Sequence, residues 1–566
     1  MQVRPILTLI VAAGLALPAA ADNAGSYLAA RSAIMSNDYA EAADYYARAL
    51  AGDSTNAELL ENGMTAFLGL GNIDRASELG RRMVQLGYDS QVAGLVLIGD
   101  QAAEGRWDDL LEDMQAGQSI GPLFDGLVTA WAEVGAGRMS DAVAAFDSIS
   151  DNPSVTAFGL YHKALALASV GDFESAADIF SGEAGVMLRL TRRGVVAYAE
   201  ILSQLERNDD AVALLSETLG GASDPELVAL ISALEAGETV PFRAVQTPAH
   251  GVAEVYYSIA NALAGEAQDA YTLLYARMAQ YLRPDHVDAL LLNAELLEDL
   301  ERYDLATEVY DDVPADHPFF FAAELGRAAA LRESGNTEAA IEVLRALQKS
   351  HGDLALVHVT LGDTLRGLDR FEESIPAYDR AVSMIETPEE RHWAVYFARG
   401  ISHERTGNWP QAESDFRRSL ELRPDQPQVL NYLGYSFLEM QTNFDEALEL
   451  IERAVELRPD SGYIIDSLGW GLYRLGRYEE AVGHMERAVE LMPIDPVVND
   501  HLGDVYWAVG RQREAEFQWH RALSFISEDE PTDADPDRIR RKLEIGLDAV
   551  LEEEGAPPLE VAGDDG

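Results

Sequence analysis

Near the C-terminus, apolar residues recur every three or four positions in two successive runs, and the two runs return together along the chain. The first run carries a leucine–glycine pair, at Leu433-Gly434, Leu468-Gly469 and Leu502-Gly503. The second run carries a small residue at steps of 34, at Ala447, Ala481 and Ala515. Apolar spacing of this kind predicts amphipathic α-helices. The pattern therefore predicts antiparallel helix pairs, whose first and second members we call the A helix and the B helix.

Small residues at fixed places in both helices let the two backbones approach closely, and larger apolar residues fill the space beside them. Pro459 and Pro493 end two B helices, because proline cannot continue a helix and restricts the residue before it. A 34-residue step with this residue order is the signature of the tetratricopeptide repeat (TPR), which the chain resembles over most of its length. The resemblance implies an all-α, right-handed superhelical solenoid that ends in a C-terminal capping helix.

The pattern divides the chain into six segments. In order, they are a signal peptide (1–21), a degenerate N-terminal TPR array (22–219), an irregular joint (220–251), a C-terminal TPR array (252–526), an acidic linker with the capping helix (527–554) and a disordered tail (555–566). Asn37, Gly71, Gly105, Gly137 and Gly171 mark the A-to-B turns of the first array. The joint carries Pro241 and Pro248 and lacks helical periodicity, apart from a helix-like stretch over 225–236.

The first 21 residues predict export from the cytoplasm. Arg4 precedes an apolar stretch from Ile6 to Leu17, and a run of alanines ends before Asp22. This order is typical of a cleaved secretory signal, and the apolar stretch is too short for a permanent membrane anchor. We therefore expect a periplasmic protein without a direct lipid anchor, since no cysteine is present for lipidation.

Composition excludes several classes of partner and site. The absence of cysteine excludes disulfides, zinc–thiolate sites and cysteine nucleophiles. A formal net charge of -55 repels phosphate backbones and anionic headgroups, so we expect no nucleic-acid or lipid partner. Phosphate-binding loops, zinc-protease motifs and nucleophile elbows are also absent from the sequence. We expect no catalytic residues, no cofactor, no metal and no small-molecule substrate.

Candidate binding residues come from helix geometry. Positions five, nine and twelve of each A helix form a stripe that lines the concave groove in this fold. In the last three repeats this stripe, with the adjacent arginine, contains Asn431, Tyr435, Asp466, Trp470, Tyr473, Arg474, Asp500, Asp504 and Trp507. Asparagine and aspartate can bind the N–H groups of an extended peptide, and exposed aromatic residues are frequent interface anchors.

A structural role for the same residues is the alternative. Asp500 and Asp504 lie near the start of an A helix, where the helix dipole favours negative charge. In this alternative, the adjacent repeat covers Trp470 or Trp507 and neither indole reaches a ligand. The stripe lacks lysine, which disfavours capture of a C-terminal carboxylate and favours basic or apolar segments as ligands.

A narrower resemblance covers roughly residues 431–522, where Asn431 to Tyr435, Asp466 to Trp470 and His501 to Asp504 carry it. It is to TPR adaptor proteins of the Gram-negative envelope that partner a carboxyl-terminal processing protease. The resemblance implies an adaptor that presents client proteins, such as cell-wall hydrolases, to this protease. One branch of that group is lipidated on a cysteine, and this chain has none. The alternatives are a scaffold for outer-membrane or exopolysaccharide assembly and, more remotely, an enzyme with an unrecognised site.

Overall fold

The computed structural model describes residues 17–152, 154–181, 191–219, 224–527, 532–556 and 558–559, of which 17–23 and 219 are described by their backbone alone. Over these residues the fold is all-α, as predicted. Most of the predicted signal peptide, the start of the joint and most of the predicted tail lie outside them. The chain forms two compact units: unit 1 ends at His351 and unit 2 begins at Gly352.

Unit 1 contains nineteen helices among the described residues. They are α1 Leu17–Met35, α2 Tyr39–Gly52, α3 Ala57–Gly69, α4 Ile73–Gln85, α5 Gln91–Ala103, α6 Trp107–Gln115, α7 Pro122–Gly135, α8 Met139–Ser150, α9 Thr156–Ser169, α10 Phe173–Ser181, α11 Arg192–Gln204, α12 Asn208–Leu219, α13 Pro225–Glu235, α14 Pro248–Leu263, α15 Asp269–Leu282, α16 Val287–Asp299, α17 Tyr303–Asp311, α18 Phe320–Glu333 and α19 Thr337–Ser350. Sequential helices pack against one another as pairs.

The described residues of unit 2 form five A–B pairs and a cap. The pairs are α20 Ala355–Arg366 with α21 Phe371–Ser383, α22 Trp393–Arg405 with α23 Trp409–Leu422, α24 Pro427–Glu439 with α25 Phe444–Leu457, α26 Gly462–Arg474 with α27 Tyr478–Leu491, and α28 Pro496–Ala508 with α29 Gln512–Phe525. A 3-10 turn, Glu390–His392, precedes α22. The cap consists of α30 Pro536–Ile545 and α31 Leu547–Glu553.

The small residues of the repeat bring the A and B helices together as predicted. A side chain at Gly469 would overlap Met485, and one at Gly503 would overlap Trp519. Ala515, on the B helix opposite Gly503, is fully buried. The predicted A-to-B turns at Asn37, Gly71, Gly105, Gly137 and Gly171 all adopt positive φ. Glycine favours this conformation, and asparagine tolerates it better than most residues.

Helices α14 and α15 cover the A helices of the first array. Helix α14 packs against α5, α7 and α9, and α15 packs against α3 and α5. The Tyr256 hydroxyl donates a hydrogen bond of 2.5 Å to the carbonyl of Leu95. Tyr256 and Met278 are both fully buried. The first array therefore buries its A-helix surface against a helix pair of the same unit.

Glycines in this contact allow large side chains to approach the backbone. Met278 lies so close to Gly99 that a Cβ there would overlap it, and Gly251 lies equally close to the indole of Trp131. The indole N–H of Trp131 donates to His162 Nδ1 at 3.1 Å, within the same core. These contacts make α14 and α15 part of the main hydrophobic core of unit 1.

The described part of the joint includes irregular backbone, and side chains of neighbouring helices form hydrogen bonds with several of its N–H and C=O groups. Glu200 accepts hydrogen bonds from the backbone N–H groups of Arg243, at 2.9 Å, and Ala244, at 3.3 Å. Arg283 donates to the carbonyl of Ala244 at 2.6 Å. Burial raises the pKa of Glu200 to about 7, although both N–H groups favour its charged form. Helix α13 confirms the helix-like stretch expected within the joint.

The boundary between the units falls inside the predicted C-terminal array (252–526), which is thereby divided. Helices α14 to α19, from Pro248 to Ser350, belong to unit 1. Periodicity finds the helix pairs but does not reveal which surface each pair covers. The face of α14 and α15 that packs on the first array has ordinary apolar spacing.

Alanine at Gly251 tests how tightly α14 is packed. The new methyl group would displace the Trp131 indole, so we expect Gly251→Ala to destabilise unit 1 by about 1–3 kcal/mol. The measurement is urea unfolding followed by tryptophan fluorescence. Gly25→Ala is the matched control, because Gly25 is helical and has open space around its Cβ position. Equal stability of the two variants would contradict the described contact.

Candidate protein-binding surface

The A helices of unit 2 present one side to the outside of their pairs. We define the A-helix face as the side of α20, α22, α24, α26 and α28 that carries positions two, five, nine and twelve of each repeat. Contacts join α20 to α22, α24 to α26 and α26 to α28. The rings of Phe397 on α22 and Tyr432 on α24 lie 5.8 Å apart and connect the remaining neighbours. The face is therefore continuous within unit 2.

Trp470 lies in a stack of rings on this face. Its indole is parallel to the imidazole of His501 at 3.9 Å and to the ring of Tyr473 at 4.8 Å. Trp470 keeps partial exposure, whereas Tyr473 is 8% exposed. His501 Nδ1 contacts both carboxylate oxygens of Asp466 at 3.1 Å. The predicted residues Asp466, Trp470 and Tyr473 thus form one cluster with His501, which the sequence reasoning did not include.

Burial disfavours a charged His501, but three carboxylates outweigh it. Asp466 is the strongest, followed by Asp500 and Asp504, and together they raise the pKa of the imidazole above its ordinary value. A protonated His501 would stack on the electron-rich face of Trp470, a favourable cation–π arrangement. The ion pair with Asp466 holds the imidazole in place, and the stack on this imidazole holds the indole in one orientation.

One repeat earlier, the same face is formed by Asn431 and Tyr435. Tyr435 is partly exposed, and burial raises its pKa with help from Glu439 and Asp466. Asn431 is 8% exposed, and its side-chain oxygen has no hydrogen-bond partner among the described residues. A buried amide oxygen without a partner is costly, and a donor from a ligand would satisfy it. Arg474 lies 3.9 Å from the carboxylate of Glu439 at the border of this region.

The cap covers the last three predicted residues. Lys542 of α30 is fully buried, and its ammonium lies 2.8 Å from Asp500 and 2.6 Å from Asp504. The Trp519 indole also donates to Asp504 at 2.9 Å. The Trp507 indole donates to Asp548 at 2.9 Å. The structure thus places Asp500, Asp504 and Trp507 beneath the cap and not in an open groove, because their polar groups bind this chain's own helices.

The cap itself differs in one detail from the expected single helix. Ile539, Leu547 and Val550 are buried, as their spacing predicts. Gly546 has a φ of 84° and separates α30 from α31. A Cβ at Gly546 would lie 2.7 Å from the Trp507 indole, and the positive φ would strain any larger residue. Both the contact and the backbone conformation therefore require glycine here.

A small apolar pocket opens on the same face, and the sequence reasoning missed it. It has a volume of about 200 Å³ and lies between α20 and α22, where Val359, Phe397 and Ile401 line it. Asp363 and Arg366 stand beside it, with a 3.6 Å separation between their charged groups. The longer step before Ala412 breaks the 34-residue register at α22. Gly400 marks position eight of this A helix, which places Phe397 at position five and Ile401 at position nine.

Unit 1 contains a larger cavity of about 370 Å³, beside Arg192 and Arg193. Arg193 binds Glu254 and Asp288, both at 2.8 Å, and donates to the carbonyl of Ala244. Arg192 binds Asp224 at 2.6 Å and also Glu226. Both guanidinium groups are therefore matched by carboxylates within the unit, which leaves little attraction for an anionic ligand.

Over the described ranges, no three His, Asp or Glu side chains are grouped to hold a metal ion. Within those ranges, none of the helices combines the length and apolarity of a membrane span. The acidic and aromatic groups of the A-helix face are suited to non-covalent binding of a polypeptide.

Comparison with known proteins agrees with the helix pairing. Models described as tetratricopeptide repeat match residues 291–355, 353–425, 397–462 and 464–495. The chain contains tetratricopeptide repeats. This confirms the broader of the two resemblances and supports a protein-interaction fold; the narrower resemblance to protease adaptors stays a prediction.

Among curated proteins, the TPR repeat-containing protein PA4667 of Pseudomonas aeruginosa is 25% identical over 159 residues, which span 28% of this chain and 26% of that protein. The solved structure of the Cut9–Hcn1 hetero-tetramer of APC/C is 14% identical, with 93% of this chain and 96% of that chain covered and a TM-score of 0.37. YrrB, described as a TPR protein with an unusual peptide-binding site, is 17% identical over 33% of this chain and 93% of its own, with a TM-score of 0.27.

Replacing Lys542 tests the ion cluster beneath the cap. Lys542→Met removes the buried cation that Asp500 and Asp504 share and leaves Asp504 only Arg538, at 3.5 Å, so we expect a loss of about 3–5 kcal/mol in the free energy of unfolding of unit 2. Urea unfolding and limited proteolysis of the cap measure it. Arg540→Met is the matched control, because the Arg540 side chain is 60% exposed and pairs with Asp537 on the surface. Equal effects of the two changes would contradict the buried cluster.

The raised pKa of His501 predicts how stability depends on pH. Its pair with Asp466 should contribute fully below the unfolded value of about 6.5 and be lost as pH rises through the higher folded value. We expect Asp466→Asn to destabilise the protein more at about pH 6 than at about pH 9. Unfolding curves at both pH values test this, with Asp460→Asn on the exposed loop as control. A pH-independent effect of Asp466→Asn would refute the linkage.

Proposed function

We propose that this protein is a non-catalytic scaffold of the bacterial cell envelope that holds client polypeptides on the A-helix face of unit 2. The observation that carries the proposal is the row of accessible groups on successive A helices. Phe397 and Ile401 border the pocket, and Tyr435 and Trp470 follow on the next two A helices. Partly exposed aromatic residues held in fixed orientations are effective interface anchors.

The two arrays differ in what their A helices offer to a partner. In unit 1, Tyr256, Met278 and Val252 fill the corresponding surface and are fully buried. A client would have to displace this core to reach α3, α5 or α7. In unit 2, α20 to α26 lack such a cover among the described residues. This difference supports unit 2 as the binding array, a choice that the sequence left open.

Charge favours clients with basic and apolar segments. Near the face, the side chains of Asp363 and Glu439 are 44% and 48% exposed. The net charge of -55 attracts basic clients over longer distances, and added salt weakens this attraction. The nearest cations, Arg366 and Arg474, already have acidic neighbours at 3.6 and 3.9 Å.

The finer role rests on the sequence. The signal-like segment 1–21 favours periplasmic action, and the resemblance over 431–522 favours an adaptor that presents clients to a carboxyl-terminal processing protease. Purified protein with this protease and a client hydrolase tests the role. An adaptor accelerates client degradation when the protease is present and causes none alone. Hydrolysis by this protein alone would overturn the non-catalytic proposal.

Removing the two aromatic anchors tests the binding surface. Tyr435→Ala combined with Trp470→Ala should weaken client capture about tenfold or more, because both rings supply apolar contact area. Pull-down with the purified client measures it, and the thermal melt by circular dichroism should show the helices intact. Phe517→Ala is the control, because Phe517 is 61% exposed on the B helix α29. Unchanged capture by the double variant, or equal loss in the control, would exclude this surface.

A further inference from the structure

We infer that the A-helix face of unit 2 binds an amphipathic α-helix with basic residues, and not an extended peptide. The inference rests on the proposed function and specifies its ligand. It comes from two places where this protein already covers its own A helices. In both places the covering element is α-helical.

The cap is the first such place. Helix α30 carries Arg538, Arg540, Arg541 and Lys542 within five positions. It lies on Asp500 and Asp504, at positions five and nine of the last repeat, and Gly546 and Asp548 directly after it contact Trp507 at position twelve. Its apolar residue Ile539 is buried beside the buried Lys542 ammonium. A basic amphipathic helix is therefore the ligand that this surface accepts within the chain.

Unit 1 provides the second place, with a different sequence. Helices α14 and α15 lie on the A helices of the first array, with Tyr256 and Met278 as buried apolar contacts. Arg277 of α15 donates to the carbonyl of Gly69, at the end of α3, at 3.1 Å. The A-helix surfaces of both units thus receive a helix that brings buried apolar side chains and a cation.

One and two repeats before the cap, the same positions lack a covering helix among the described residues. Trp470 and Tyr435 are partly exposed there, whereas Asp466, Tyr473 and Asn431 are 7–8% exposed. Asp466, Trp470 and Tyr473 correspond to Asp500, Asp504 and Trp507, and Asn431 and Tyr435 precede them. The acidic side chain of Glu439 is accessible here, and the pocket between α20 and α22 can receive one apolar side chain. Positions for a cation and for an apolar anchor therefore follow each other along the face.

The hydrogen-bonding groups of this face also favour a helix. An extended peptide exposes its backbone N–H and C=O groups and needs partners for both. Asn431 can serve either kind of group, whereas the carboxylate of Asp466 accepts only and already contacts His501. A helix satisfies its own backbone and needs only side-chain contacts. The face offers mainly such contacts.

Three labelled peptides of equal leucine and lysine content test this with the full-length protein. The first, of about 18 residues, spaces its leucines as in an amphipathic helix and spans about 27 Å. The second alternates leucine and lysine, which favours an extended strand. The third has the helical order with two central prolines, which break a helix. Fluorescence anisotropy at about 0.15 M salt gives each Kd.

We expect the helical peptide to bind at least about tenfold more tightly than the other two. Trp470→Ala and Glu439→Gln should each weaken it, by about tenfold and severalfold respectively. Phe517→Ala and Glu452→Gln, both exposed on B helices, should leave its Kd unchanged.

Other outcomes would separate this inference from the proposed function. Tighter binding of the alternating peptide, still sensitive to Trp470→Ala, would overturn the helix inference and leave the client-binding surface standing. Binding that is insensitive to Trp470→Ala but releases the cap to protease would place the ligand on the last repeat and overturn the inference. If none of the three peptides binds specifically and client capture is unchanged by Trp470→Ala, both the helix inference and the proposed binding surface are overturned.

Discussion

The structure depends on one constraint: a pair of helices cannot bury its own apolar surface, so each pair must be covered by another element. Gly434, Gly469 and Gly503 let the A and B helices of a pair approach closely, and the next pair covers part of what remains. At the end of unit 2, α30 and α31 supply this cover. In unit 1, α14 and α15 supply it for four A helices of the first array, α3, α5, α7 and α9. The A helices α20, α22, α24 and α26 are left with accessible aromatic and acidic groups, and this uncovered surface is the one that we propose for binding.

Local periodicity predicted much of this fold. Leucine–glycine and alanine positions gave the helix pairs, the turn glycines gave the A-to-B junctions, and Ile539 with Leu547 gave a cap. Periodicity placed the cap on the last repeat but did not reveal which groups it contacts, because Lys542 and its partners Asp500 and Asp504 are about forty residues apart in the chain. The same limit hid the contact of α14 with the first array. Tyr256 and Leu95 are separated by 161 residues.

The candidate surface shows the same division between what could and could not be predicted. Trp470 and Tyr435 were found because they recur at one position of a regular repeat, and both keep partial exposure. His501 lies at a position that the stripe does not include, so its stack with Trp470 required coordinates. Phe397 and Ile401 lie where the step between repeats lengthens, so they were overlooked. Their role in binding stays a prediction, as does that of the whole stripe.

The chain contains three lysines, and the structure gives one of them a specific role. Lys542, one of three lysines in the chain, neutralises two buried aspartates that would otherwise repel each other. An ammonium can approach two carboxylates as a compact point charge, whereas a guanidinium favours planar, bidentate pairing. Lys163 pairs with Asp147 at 2.6 Å on the surface of unit 1.

Site-specific photocrosslinking in living cells tests the central claim most directly. A photoreactive residue replaces either Ile401, beside the pocket of the A-helix face, or Phe517, on the opposite helix layer of its repeat. The account predicts a discrete crosslinked client from position 401 that disappears with Trp470→Ala, and none from position 517. A client crosslinked from position 517 and absent from position 401 would contradict it.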